Sequence, residues 1–559
     1  EVLGVNQVGV RDNFFEMGGD SILMIQVISR ARQAGIGITP KEIVQNPTIA
    51  QLADVVGAMQ IFNAEQGVVT GSLPLTPIQH WYLSRQQPDP HHFNQYVLLE
   101  VSSGVDAIAL DEALRALVRH HDALRLRFQE EADAWQQENG GIDLLAADKV
   151  SLLQCFDLPA YDTPTRQATV AEEAAILQAS LRLETGLLLC AGLFRYAPDQ
   201  PAQLLLVIHH LAVDGVSWRI LLEDLESAYQ QAQHNVPIQL PPKSTAFRTW
   251  AAWLAEAGPT AVERERMYWQ QILDKPQQSL PVDYPTALTQ NTVASVAEVT
   301  CTLTQAETVQ LLRDVPAVYH TEINDILLTA LLQVLCEWTG GDTITIDLEG
   351  HGRELLTRDA GQVESFDLSR TVGWFTSLFP VHLEWTHRHL GELIKSVKEQ
   401  LRAIPNRGVG YGILRYLDHA APLRPKQDPP VSFNYLGQFD TSLSHQREHQ
   451  SGNPKEHERL LLAFARDPAG APISPQQERP RLMDISGIVV EGEMQFVWAY
   501  SQNIHSRATM DRLAQAYVDA LRAIIAHCLG SESGGFTPSD FPEAALDQLA
   551  LDTLLAEFE

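Results

Sequence analysis

Residues 204–218 read LLLVIHHLAVDGVSW. An apolar run of strand length ends in His209 and His210, and Asp214, Gly215, Ser217 and Trp218 follow closely. Histidine titrates near neutrality, so one held at a strand end is a candidate proton carrier. If the strand persists through the pair, consecutive side chains face opposite sides and only one of them reaches a shared cleft. The other packs inside the fold. A second pair, His120 and His121, is also followed by an aspartate, in LVRHHDALRLRF. That pair sits in a helical pattern with Leu114, Leu117, Val118 and Leu124, and a place on the helix surface or at its end accounts for it. His445 and His449 have helical i, i+4 spacing but lie in a polar stretch without a matching third ligand, so no metal site is assigned.

A carboxylate and a serine extend the set. In TITIDLEG, Ile344, Ile346 and Leu348 fall on one face of a strand, with Thr345, Asp347 and Glu349 on the other. Glu349 therefore ends a strand on its polar side, where carboxylates are ordinarily solvated. In DNFFEMGGDSI, Ser21 follows Gly18, Gly19 and Asp20 at a helix start. The glycines permit a tight turn that keeps the hydroxyl exposed, and the helix N-terminus favours an attached anion such as a phosphate. Taken alone, the serine reads simply as an N-cap.

These groups need elements to hold them. The first sixty residues read as a small helical unit: DSILMIQVISRARQAG places Ile22, Ile25 and Ile28 on one side, and TPKE and TIAQ each carry a capping box. The chain begins abruptly, at what reads as the last turn of a helix, as a fragment of a longer chain does. Residues 58–72 read as a linker. From residue 73 to about 530, strands and helices mix as in α/β proteins. The Pro-rich VPIQLPPKSTAF around Pro241 marks a break between two lobes, about 73–240 and 241–530. Residues 445–481 are polar and Pro-rich and read as a long surface loop. Residues 531–559 read as a linker and an acidic amphipathic helix.

Composition narrows the function classes. Lys plus Arg total 40 against 70 Asp plus Glu, a net charge of −30, which repels phosphate backbones and argues against nucleic acid. Five scattered cysteines form no Cys-x-x-Cys pair. A disulfide framework or thiolate zinc site is not expected, and a cytoplasmic location is. The longest apolar runs are too short to span a bilayer, so no membrane partner is expected.

The DNFFEMGGDS string, the helix after it and NPTIAQLA resemble the carrier domain of nonribosomal peptide synthetases over residues 1–57. The resemblance implies a small all-α four-helix fold, N-terminally truncated here, with 4′-phosphopantetheine attached covalently to Ser21. Carriers of this family mostly have His before the serine. Asp20 is the residue typical of carriers that feed an epimerization domain. HHLAVDGVSW resembles the His-His-x-x-x-Asp-Gly motif of the condensation-domain superfamily, with Ser217 and Trp218 typical of its epimerization branch. By that resemblance His210 is the base, His209 is structural, and Asp214 pairs with an arginine to hold the loop. Asp214 also stands where it could cap the helix containing Trp218. EGHGRE, RTVGWFTSLFPV and VSFNYLGQFD resemble further motifs of that branch, in order. They imply Glu349 as the second catalytic group, Trp374 as a supporting residue, and Asn434 and Tyr435 near the site. LPLTPIQHWYL resembles the opening motif, and TPSDF is common just after such domains.

The implied fold is two chloramphenicol-acetyltransferase-like α/β lobes in a V shape, behind the helical carrier. The implied reaction removes and returns the Cα proton of a carrier-bound thioester, L to D, with acid/base groups whose pKa values are tuned by their surroundings. The carrier docks on its own epimerization domain. An upstream adenylation domain, a downstream condensation domain or synthetase, and a phosphopantetheinyl transferase are the other implied partners. A condensation domain using the same histidine to form a peptide bond, and an inactive member that recruits a partner, are the alternatives.

Overall fold

The computed structural model describes residues 2–3, 7–58, 64–132, 134–145, 151–158, 163–197, 200–354, 356, 366–438, 460–465, 467–530, 533–541, 544 and 546–556. Its N-terminal part carries three helices among the described residues, Ser21–Gln33, Pro40–Gln45 and Ile49–Val55. The last two begin with the predicted capping boxes, Thr39 with Glu42 and Thr48 with Gln51. Met24, Ile28, Ile38 and Ile43 form a small core of their own. Ile25 is instead buried in the core of the following domain, and Ile22 packs against it. One helix thus serves two cores, and Arg32 pairs with Asp367 across the same contact.

The large domain is built on two large sheets, with a smaller one of Gly71–Leu73, Ala134–Asn139 and Leu126–Glu131 beside them. In the first, the strands run in the order Leu461–Phe464, Asn94–Val101, Ala202–His209, Leu189–Arg195, Leu153–Asp157. The run LLLVI is continuously apolar because both faces of this sheet are covered. Leu204, Leu206 and Ile208 join the main core, and Leu205 and Val207 join a second cluster with Val170, Ala174 and Leu177. In the second sheet the order is Val296–Leu303, Glu493–Ser501, Met483–Val490, Val431–Gln438, Thr343–Gly350, Ser377–Glu384. The helices Ile323–Thr339 and Arg507–Cys528 contribute long rows of buried aliphatic side chains to its packing.

Several expectations are corrected. The strand stops at His209, and His210 opens a 3-10 turn through Ala212. The two histidines are therefore separated by this turn and not by strand alternation. Within 445–481, residues 445–459, with His445 and His449, lie outside the described residues. The rest is no simple surface loop: Leu461–Phe464 pairs antiparallel with Asn94–Val101 and extends the first sheet. Its four apolar residues are too few to give a strand pattern of their own. Of the expected linker, Gly57–Ala58 pairs with Ile36–Gly37, and Gly71–Leu73 pairs with Ala134–Asn139. The helix Gln548–Ala556 lies in the predicted tail. All five cysteines are free, and no helix of the described residues is long and apolar enough to cross a membrane.

Candidate active site

His209 is fully buried. Its Nε2 hydrogen-bonds the Pro90 carbonyl at 2.9 Å and its Nδ1 accepts from the Leu211 amide at 3.2 Å. Burial pushes its pKa down to about 3, so it is a neutral structural residue. His210 is half-buried. Its Nδ1 donates to the Val213 carbonyl at 2.9 Å, which leaves Nε2 as the unprotonated nitrogen. The ring lies against Trp374 and Phe93, with centroids at 4.4 and 5.1 Å. Burial holds its pKa below the ordinary histidine value. His209 is thus locked by both ring nitrogens, while His210 Nε2 lies 3.0 Å from the Gln95 amide nitrogen.

Asp214 does both things foreseen for it. Its Oδ1 accepts from the Ser217 amide at 2.7 Å, capping Gly215–Gln233. Its arginine is Arg353, whose Nη2 donates to both carboxylate oxygens at 3.0 and 3.1 Å. Arg353 also donates to the carbonyls of Leu368 and Thr371 at 2.8 and 2.7 Å, and Asp214 Oδ2 accepts from the Phe375 amide. One buried ion pair therefore ties the histidine loop, the EGHGRE turn and the Trp374 segment together. The sequence holds the signal for Arg353, inside EGHGRE, but nothing in it pairs that arginine with Asp214.

The polar face of Thr343–Gly350 is not solvated, contrary to expectation. Asp347 is buried and paired with Arg481 at 2.7 Å, and Thr345 hydrogen-bonds His382 at 2.9 Å. The sheet's neighbour Val431–Gln438 covers it: Leu348 pairs with Phe433 in register, which sets Glu349 beside Asn434. Asn434 Nδ2 donates to Glu349 Oε2 at 2.7 Å. Burial pushes the Glu349 pKa up to about 7. The Tyr435 hydroxyl is buried with no hydrogen-bond partner among the described residues, and burial raises its pKa well above the ordinary value.

Glu349, Asn434 and Tyr435 line a cavity of about 880 Å³ that also contacts Asp20 and Ser21. Ser21 is not an N-cap. It is the first residue of its helix, and Asp20 caps it, accepting from the Ile22 and Leu23 amides at 2.9 and 2.7 Å. The Ser21 hydroxyl is thereby left for other uses. Gly18 takes φ +88°, and a Cβ at Gly19 would strike Phe14, so both glycines shape the turn. Asp20 is held near Arg219 and Tyr435 of the large domain, and burial raises its pKa. A serine hydroxyl on the cavity wall fits a covalently attached arm.

His120 ends its helix and His121 follows as a buried cap. With Asp224 they bring donor atoms within 4.8 Å of one another. Asp224 Oδ2 faces His121 Nε2 at 2.9 Å, and Oδ1 accepts from Arg370 at 2.5 Å. The Arg370 cation stands at the carboxylate, which makes the cluster an ion-pair network. Sequence reasoning misses Gln95. Its amide Nε2 contacts His210 Nε2 at 3.0 Å, and nothing in its local pattern distinguishes it from any polar strand residue.

Residues 1–56 match the family described as phosphopantetheine attachment site, and residues 69–546 match the family described as condensation domain. A linear gramicidin synthase of Brevibacillus parabrevis is 44% identical over the whole chain, which spans 7% of that protein's length. Gramicidin S synthase 1 of Brevibacillus brevis is 38% identical over 99% of the chain, which spans 49% of its length. Among solved structures, the epimerization domain from the third module of tyrocidine synthetase B is 37% identical with a TM-score of 0.73, covering 83% of this chain and 100% of that one. The chain belongs to the condensation-domain family of nonribosomal peptide synthetases and carries a phosphopantetheine attachment domain ahead of that domain.

Proposed function

We propose that the chain epimerizes the Cα of an aminoacyl or peptidyl thioester carried at Ser21, L to D. The observation that carries this reading is the cavity shared by Ser21, Glu349 and Tyr435, with Glu349 titrating near neutrality. The attached arm supplies a thioester, whose carbonyl makes the adjacent Cα proton acidic. His210 Nε2 takes that proton once the Gln95 amide N–H that faces it gives way. The Cα–H electron pair moves toward the carbonyl, and the Glu349 carboxylic acid delivers a proton to Cα from the other sheet. The opposite direction uses the imidazolium and the carboxylate. The Tyr435 hydroxyl donates to the carbonyl oxygen as charge develops there. A peptide-bond-forming reaction has no need of a second acid at Glu349.

The usual order of the two pKa values is inverted here. Glu349 is raised to about 7 and His210 is lowered below its ordinary 6.5. Between those values the neutral imidazole and the protonated carboxyl coexist. Exchange at Cα should therefore fall above about pH 7, as Glu349 loses its proton, and fall again below the His210 pKa, by about tenfold per unit on each limb. Initial rates of deuterium uptake across pH measure this. An alkaline limb absent up to about pH 9 would contradict the Glu349 role.

Tyr435→Phe should slow exchange about 10²–10³-fold, the usual cost of one lost oxyanion donor. Loading of Ser21, followed by intact mass, should be unaffected. Chiral analysis of the hydrolysed thioester tests the function itself. An L-loaded chain should give a D/L mixture, and retention of pure L would sink the reading.

A further inference from the structure

His210 does not line the cavity directly. Gln95 does, on the strand Asn94–Val101 and at the His210 Nε2 atom. The orientation of the Gln95 amide is determined by Trp218. The indole N–H can only donate, and it lies 2.9 Å from Gln95 Oε1. The amide nitrogen therefore faces His210, where its N–H donates to Nε2 at 3.0 Å. At the other end of the ring, the Val213 carbonyl accepts from Nδ1–H. Trp218 is itself buried in the core, so the chain Trp218–Gln95–His210–Val213 is anchored at both ends.

We propose that Gln95, oriented by Trp218, is a positioning residue for proton transfer at His210, holding the neutral tautomer and destabilising the imidazolium. This rests on the epimerization reading. Nε2 has a single lone pair, so the Gln95 N–H must give way before Nε2 takes the Cα proton, and the new N–H then forms beside the amide N–H. Two donors then oppose each other, because Trp218 keeps the acceptor end of the amide turned away. The imidazolium is a short-lived acid that gives its proton up, as a reversible exchange requires. The titratable groups facing His210 are His209 at the strand end and Asp214 at the start of the next helix. Arg353 neutralises Asp214.

The test compares Gln95→Glu, Gln95→Met and Trp218→Phe in the full chain. The His210 titration is read from the ¹³Cε1 resonance of labelled histidine, assigned by its loss in His210→Ala, and deuterium uptake is measured with an aminoacyl thioester on Ser21. A glutamate accepts from Nε2–H, so Gln95→Glu should raise the His210 midpoint by about one to three units. The acid limb of exchange should move with it, with exchange slower by about tenfold or more near pH 6. Gln95→Met and Trp218→Phe remove or unpin the donor and should raise the midpoint by less. An unchanged midpoint in Gln95→Glu would overturn the proposal whatever the activity. So would equal rate losses in Met and Glu variants at an unchanged midpoint, since packing alone would then explain them. A wild-type chain that exchanges no deuterium, yet shows the Gln95-dependent titration, would sink the epimerization reading and leave the hold on His210 standing.

Discussion

His210→Ala and Glu349→Gln should each slow exchange at Cα by about 10²–10⁴-fold, the usual contribution of a positioned acid or base. The two substitutions act on opposite sides of one reaction. His210 belongs to the turn after Ala202–His209 in one sheet, and Glu349 ends Thr343–Gly350 in the other. Glu349→Gln preserves shape, and the Asn434 amide that donates to Oε2 at 2.7 Å can donate to the new carbonyl instead. Its loss is therefore one of proton transfer. The double variant should be little slower than the worse single, because a proton that cannot be taken makes the second group idle. Rates of deuterium uptake by the loaded chains, with Ser21 occupancy checked by mass, measure this. Additive losses in the double variant would mean that the two residues do not share a step.

Asp214→Ala should cost about 3–5 kcal/mol of stability, because it leaves Arg353 buried without its counter-charge. The Arg353 and Asp214 side chains are only 2% and 6% exposed, so water cannot replace the partner. The helix cap at Ser217 is lost as well, at about 1 kcal/mol. Arg353→Ala should cost as much, since three segments lose their common anchor. Replacing both by apolar residues of similar volume should lose less than the sum of the singles, because no charge is left unpaired. Urea unfolding followed by tryptophan fluorescence reads all three. Singles within about 0.5 kcal/mol of wild type would show that the pair does not hold the loop.

The parts of the fold legible in the sequence are those set by local rules. The capping boxes at Thr39 and Thr48, the apolar strand before His209 and the cap at Asp214 depend on neighbours within a few residues. His209 and His210 divide as their sequence suggests, but for a different reason: the strand ends one residue early, and carbonyls of Pro90 and Val213 separate the rings. The polar face of Thr343–Gly350 reads as solvated in the sequence because its cover comes from far along the chain, with Arg481 reaching Asp347. The same holds for Leu461–Phe464, which takes its place from the open edge of Asn94–Val101. Gln95 is invisible in the sequence for a related reason. Its role depends on an indole and an imidazole more than a hundred residues away.

The most direct test of the central claim loads Ser21 with an L-aminoacyl thioester in one sample and its D counterpart in another, both in deuterated water. Both should converge on the same D/L mixture, each carrying one deuterium at Cα, and in Glu349→Gln both should do so about 10²–10⁴-fold more slowly. Retained configuration without label across a panel of loaded amino acids and peptides, or convergence at the wild-type rate in Glu349→Gln, would contradict it.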